Sequence, residues 1–202
     1  LNFDVTKNKD LEAIFSYVKP DLVINCIGLI KQVDESKNVL KAIEINSMFP
    51  HVLSKFCANF NSKLIHFSTD CIFSGAKGNY VECDLSDAED LYGKTKYLGE
   101  LNYEHCITLR TSIIGHELTS HHGLIEWFLS QKEPCKGYVK AIFSGLPTIV
   151  LSEIIRDVII DQSNLNGIYH ISSNPISKYD LLMLVAKLYN KKIEIIPSDE
   201  II

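Results

Sequence analysis

The chain reads as an α/β protein built on a largely parallel sheet, and three observations predict it. Short apolar runs of strand length recur at 21–30 (DLVINCIGLI), 63–70 (KLIHFSTD), 106–112 (CITLRTS) and 167–172 (GIYHIS). The first is nearly continuous rather than alternating, the mark of a strand covered by helices on both faces. Between these runs lie segments whose apolar residues follow helical spacing, and such alternation favours parallel pairing. With 202 residues, 46% hydrophobic and 22% charged, the chain can bury a substantial core.

Taken in order, Leu11, Ile14, Phe15 and Val18 predict a short helix that ends before Pro20. The run 21–30 follows and is expected to be central in its sheet. From Ser36 to Phe60 the residues Val39, Ile43, Phe49, Val52, Leu53, Phe56 and Phe60 predict a long helix, kinked or split by Pro50. The strand at 63–70 closes on small polar residues. A loop rich in Gly, Ser and Asp (71–90) then leads into a helix over LYGKTKYLGE, residues 91–100. CITLRTS reads as a strand and GLIEWFLSQ (123–131) as a helix. Beyond them the pattern predicts a short strand at 138–143, a helix at 151–161, the strand GIYHIS, a helix over SKYDLLMLVAKLYN (177–190) and a last strand KIEII (192–196). A smaller lobe is expected from about Gly115 onward.

Composition narrows the function. The net charge is −5 and no basic run occurs, which argues against nucleic-acid binding and for a small-molecule partner. Cys26, Cys57, Cys71, Cys83, Cys106 and Cys135 are dispersed without a C-x-x-C pair, and no apolar leader or spanning segment is seen. The expectation is reduced thiols in the cytoplasm and no membrane partner. Of the histidines only His121 and His122 adjoin, and no metal site is expected.

In open parallel sheets ligands gather at the carboxyl ends of the strands. Three loops follow predicted strands: Asn25–Gly28, Ser68–Asp70 and Arg110–Gly115. Close to the second lies a tyrosine–lysine pair. Tyr92 and Lys96 are four apart on a helix and so share a face. A nearby cation lowers a phenol from its ordinary pKa of about 10 toward the working range. Such a phenol can pass a proton to a carbonyl oxygen while hydride reaches the carbon. Ser68 and Thr69 offer hydroxyls to polarise that carbonyl. The plain alternative is a packed tyrosine and a solvated lysine.

Together, STDCIFSGAKGNYVECD and LYGKTKYLGE resemble the extended short-chain dehydrogenase/reductases, in particular the dTDP-4-dehydrorhamnose reductase-like sugar-nucleotide branch. KPDLVINCIG, IEINSMFP, LRTSIIG and GIYHISSNPISKYDLL are similar to further stretches of that family, in the same order. The resemblance implies a Rossmann-like doubly wound sheet with a small C-terminal α/β substrate lobe. It implies a partial NAD(P)-binding domain over 1–114 and, over 115–202, a substrate-binding lobe interleaved with the last strands of the sheet. It also implies NADP(H) or NAD(H) as cofactor, a nucleotide-sugar substrate and, as the assembly it allows, a homodimer.

Residue by residue, the resemblance makes Tyr92 the general acid of carbonyl reduction and Lys96 the group that lowers its pKa and holds the nicotinamide ribose. Thr69 would hydrogen-bond the carbonyl. Asn46 would position the lysine through water, or else satisfy backbone beside Pro50. Cys26, Ile27 and Gly28 would line the cofactor, and Asp4 would lie near the adenine unless it is simply an exposed acid. Asp70 is followed by Cys71, so the second acid of the related dehydratases is missing; this favours reduction or 4-epimerisation. Cys71 reads as a small apolar filler. Arg110, His116, His121, His122 and Trp127 are further candidates for substrate contact, each with a packing or surface role as the plain alternative.

One expected feature does not occur. The family opens with a glycine-rich turn that receives the pyrophosphate at a helix N-terminus, whereas LNFDVTKNKD already resembles the segment after the family's third strand. The expectation is a fragment or truncated product that binds nicotinamide cofactor weakly or not at all and tends to associate through an open strand edge. Two other readings stay open: a sugar-nucleotide 4-epimerase, and a non-catalytic subunit like the regulatory subunit of methionine adenosyltransferase.

Overall fold

A computed structural model describes residues 4–31, 34–118, 123–162 and 164–200. It divides into two compact units, Leu1–Thr111 with Gln162–Ile171, and Ser112–Asp161 with Ser172–Ile202.

In the first unit α1 (Asn8–Val18) buries Leu11 and Phe15. It stops at Lys19, which turns left-handed and donates its N–H to the Phe15 carbonyl, one residue before Pro20. β1 (Leu22–Asn25) is followed by a 3-10 turn (Asp34–Lys37) and α2 (Val39–Ala42). Asn38 caps α2 by accepting the Lys41 N–H. The long helix expected from Ser36 to Phe60 is split, as Pro50 requires. A π-helix (Ile43–Met48) runs into α3 (Phe49–Asn59), and the Phe49 N–H reaches back five residues to Glu44. The wider turn carries Ile45, Asn46 and Ser47 inward.

β2 (Lys63–Ser68) leads through a 3-10 turn (Asp70–Ile72) and the long polar loop to α4 (Leu91–Leu98), and β3 (Cys106–Arg110) follows. The second unit then supplies β4 (Ile113–Ile114), α5 (Leu124–Ser130), β5 (Cys135–Tyr138), β6 (Ile142–Phe143), β7 (Leu146–Pro147) and α6 (Thr148–Ile154), which continues as a π-helix to Ile159. The chain returns to the first unit for β8 (Gly167–His170) and ends in the second with β9 (Ile176–Ser177), α7 (Lys178–Leu188) and β10 (Ile195–Ser198).

The main sheet has the order β1-β2-β3-β8 with every pair parallel. Leu11, Phe15, Phe49, Leu53, Cys57, Leu64, Leu101 and Cys106 form the core on one of its faces. In the second unit β5 pairs with β10 and β4 with β7, both parallel, while β6 and β9 are antiparallel. Its core is Ile125, Phe128, Cys135, Leu182, Val185 and Ile195.

Three expectations are corrected. The run 21–30 is not a central strand here. Only Leu22–Asn25 is extended in the sheet, β2 is its one partner among the described residues, and Ile24 stays 44% exposed. An apolar run records what covers the faces of a strand, not how many neighbours lie beside it. The strand expected at 138–143 is two strands separated by a bend, since β5 and β6 bond to different partners. The last strand lies at Ile195–Ser198 rather than 192–196. No helix among the described residues is long and apolar enough to cross a membrane.

Candidate active site

The site grows from the start of α4. Asp90 caps the helix, its Oδ1 accepting the Gly93 N–H at 2.8 Å. Tyr92 thus falls in the first turn and Lys96 one turn later, on the face that also buries Thr95. Gly93 permits a close approach: a Cβ there would press on the Cys71 carbonyl oxygen and lie 2.6 Å from the Ala88 Cβ. Gly93→Ala therefore forces α4 away from the turn that carries Thr69. A loss of about 1–3 kcal/mol in urea denaturation is expected, as for overpacking elsewhere; an unchanged midpoint would contradict the contact.

Thr69 ends β2 and caps the Asp70–Ile72 turn, its Oγ1 accepting the Cys71 N–H at 3.1 Å and bonding the Asp70 carboxylate at 3.3 Å. The same hydroxyl acts on the Tyr92 phenol, easing its ionisation. Ser68, expected beside it, is engaged elsewhere: its hydroxyl donates to Glu100 Oε1 at 2.7 Å. Thr69 and Tyr92 therefore come together without Ser68.

Lys96 is buried, and its Nζ donates to the Phe67 carbonyl oxygen at 2.6 Å. Asn46, presented by the π-helix, accepts the Leu29 N–H at 2.8 Å through Oδ1. Its Nδ2 faces the Leu29 carbonyl at 3.1 Å and Thr95 Oγ1 at 3.3 Å. The backbone it satisfies is thus that of the loop after β1, not the chain beside Pro50. A Cβ on Gly28 would lie 3.4 Å from Asn46 Oδ1 and 3.8 Å from Lys96 Nζ. The absent side chain leaves a cradle beside an amide oxygen and an ammonium, a donor and acceptor set that fits the hydroxyls of a ribose.

The electrostatics run against one expectation. Burial pushes the Tyr92 phenol up to about 12, and Cys71, Asp70 and Asp90 add to this against the opposing effect of the Thr69 hydroxyl. The Lys96 ammonium is turned to the Phe67 carbonyl. Burial brings Lys96 itself down to about 8. A lysine depressed in the fold binds fewer protons there than when unfolded, so its contribution to stability grows as pH rises from about 8 to about 10.5. A tyrosine raised in the fold contributes fully below about 10 and loses that contribution by about 12. Between about pH 8 and 10, Lys96→Met should flatten the rise in stability seen in the parent chain. Equal slopes in urea unfolding would contradict the burial.

Lys31, which sequence reasoning missed, lies 5.7 Å from the Tyr92 ring centroid and pairs with Asp90 at 2.8 Å. Only the tertiary fold brings the loop after β1 to α4. The Cys71 thiol is pushed up, first by burial and then by Asp70, in keeping with a filler. The backbone of Cys26, Ile27 and Gly28 forms the turn after β1, where the Ile27 N–H donates to Asn25 Oδ1 at 3.0 Å. Asp4 is exposed, and its carboxylate serves the turn before α1, accepting from the Thr6 N–H and hydroxyl and pairing with Lys7. Those local bonds, not the Tyr92 group, account for it.

Arg110 is not open to substrate. It forms a buried two-pronged pair with Glu100 at 2.8 and 2.7 Å. In the second unit His116 bridges Glu126 at 2.6 Å and Tyr189 at 2.7 Å, and Trp127 is partly exposed on α5. His121 and His122 lie outside the described residues.

Known proteins are similar to this chain. A family model described as the RmlD substrate binding domain matches residues 2–201. A dTDP-4-dehydrorhamnose reductase of Aggregatibacter actinomycetemcomitans is 28% identical over 193 residues, covering 90% of this chain and 66% of that protein. A spore coat polysaccharide biosynthesis protein of Bacillus subtilis is 26% identical over 184 residues, covering 87% and 63%. The chain thus spans about two thirds of the length of these two relatives. A dTDP-4-dehydrorhamnose reductase from Bacillus anthracis, solved in complex with NADP, shares the fold with a TM-score of 0.85 at 21% identity, covering 97% of this chain and 72% of that one.

Proposed function

This chain belongs to the RmlD substrate binding domain family, and from that premise we propose that it serves the NAD(P)H-dependent reduction of a nucleotide-linked 4-keto-deoxysugar in polysaccharide or deoxysugar biosynthesis. The observation that carries the reading is the meeting of Lys96 and Asn46 beside Gly28, with Tyr92 one turn before Lys96 on α4 and Thr69 acting on its phenol. The names of the relatives support the substrate class, and the NADP complex of the Bacillus anthracis enzyme supports the cofactor.

The bound nicotinamide would supply hydride. The residues of this chain supply the rest. Tyr92 is protonated through neutral pH and so has a proton to give to a carbonyl oxygen, although burial makes it a weaker acid than an ordinary phenol. Thr69 acts on the phenol, and its hydroxyl can turn from Asp70 to donate to the same oxygen. Lys96 presents an ammonium to the ribose hydroxyls beside Gly28, and Asn46 pins the loop that forms the cradle. Asp70 has no second acid next to it, which fits reduction better than dehydration.

In this reading residues 1–114 hold the cofactor side and 115–202 the substrate side. The protein works in the cytoplasm on a nucleotide sugar, as a homodimer. A second reading has one observation in its favour: the beta subunit of methionine adenosyltransferase 2 from Xenopus laevis is 25% identical over 196 residues, covering 89% of this chain and 58% of that protein.

The test is oxidation of NADPH in the presence of dTDP-linked 4-keto-6-deoxysugars, followed by nicotinamide absorbance. Turnover that requires both compounds supports reduction. Interconversion of sugar epimers without net oxidation would replace it with epimerisation. Recovery of a stoichiometric enzyme partner with no turnover would favour the binding-subunit reading.

A further inference from the structure

His66 lies on β2, fully buried, at the end of a hydrogen-bonded chain that starts at the Ile27 N–H. Asn25, the last residue of β1, is buried beside it. Asn25 Oδ1 faces the Ile27 N–H at 3.0 Å, and Asn25 Nδ2 faces His66 Nδ1 at 3.0 Å. The roles follow from chemistry. A backbone N–H only donates, so the amide atom facing it is the oxygen. The other end is then an NH2, which also only donates, so His66 Nδ1 is the lone-pair nitrogen. His66 is therefore the neutral tautomer with its proton on Nε2. That nitrogen is buried and has no protein partner among the described residues.

We propose that His66 and Asn25 form a positioning pair for the turn Asn25–Gly28, and that the pair holds this turn only while His66 is neutral. A second proton on His66 would set an N–H against the NH2 of Asn25. Relief requires the amide to flip, which removes its oxygen from the Ile27 N–H. The charged and titratable groups acting on His66 from the packed helices are Lys96 of α4 and His51 of α3, and both oppose a further positive charge. Burial opposes it more strongly still, so the histidine stays neutral well below the usual range. The consequence for cofactor binding rests on the function proposed above, since Gly28 of this turn borders Lys96 and Asn46. The coupling between His66 and the turn does not depend on that reading.

The test reads the coupling directly. Long-range proton–nitrogen NMR on the 202-residue chain reports the protonation of each ring nitrogen of His66, while the amide signals of Ile27 and Gly28 are followed down to the acid limit of folding. The expected result is an unprotonated Nδ1 and a protonated Nε2, with Ile27 and Gly28 moving only in step with protonation of His66. Asn25→Asp offers an acceptor to both neighbours. It should transfer the proton to Nδ1, raise the titration of His66 by at least about one pH unit and abolish the acid step at Ile27 and Gly28. His66→Gln, whose side-chain oxygen can still accept from Asn25, should keep the turn signals and lose the acid step. A parent chain with Nδ1 protonated would overturn the proposal. So would titration of His66 with Ile27 and Gly28 unmoved, or an unchanged tautomer in Asn25→Asp. Should either variant fail to fold, the titration of the parent chain decides alone. No readout involves catalysis, so failure of the reductase reading would remain a separate result.

Discussion

Arg110→Met lowers the free energy of unfolding by about 3–5 kcal/mol, the expected loss when one partner of a buried ion pair is removed. Arg110 and Glu100 each have only 4% of their side-chain surface exposed. Two parallel bonds join them, and Ser68 donates to the same carboxylate. Arg110 also donates to the Glu82 carbonyl at 3.1 Å, lies 3.2 Å from His170 Nε2 and stands 5.3 Å from the centre of the Phe73 ring. Removing it strands a carboxylate out of water and releases the ends of β2, β3 and β8 together. Arg110→Met combined with Glu100→Gln should recover part of the loss, because the buried charge is then gone. Urea denaturation of the single and double variants checks this. A loss under about 1 kcal/mol, the range of an exposed pair, would contradict the burial.

Tyr92→Phe is expected to reduce turnover about 10²–10⁴-fold, the usual share of a positioned general acid. The buried phenol oxygen beside Thr69 is lost as well, so stability should change by no more than about 1 kcal/mol; the two effects are separable by measuring both. The pH profile carries more information. A phenol near 12 stays protonated throughout the neutral range, so reduction by the parent enzyme should show no limb from Tyr92 there. The limb should instead fall near 8, where Lys96 loses its charge, and Lys96→Arg should move it upward. A limb near neutrality that vanishes in Tyr92→Phe would contradict this assignment. So would turnover within a factor of about two of the parent, far from the loss expected of a general acid.

Much of the fold was legible because it is written in local pattern. The spacing of Leu11, Ile14, Phe15 and Val18 marked α1, and Pro50 marked the place where a long helix had to change its turn. The tyrosine and lysine could be placed on one helical face by spacing alone. What escaped was set by long-range packing. Ser68 looked free until Glu100 and Arg110 were brought beside it from another element. The lysine looked like the group that would acidify Tyr92, yet burial governs both residues, and burial depends on which neighbours the fold supplies. Asn25 and His66 lie 41 residues apart. Nothing in either run signalled that an amide at the end of one strand would fix the tautomer of a histidine on the next.

The most direct measurement is an NMR titration of reduced nicotinamide mononucleotide into this chain. The probe carries the nicotinamide ribose and a single phosphate, so it reports on the cradle without requiring a full dinucleotide site. Saturable shifts at Gly28, Tyr92 and Lys96 that Lys96→Met abolishes are the expected result. Unmoved signals at these three residues, or binding that Lys96→Met leaves intact, would contradict the assignment of this site to the nicotinamide ribose.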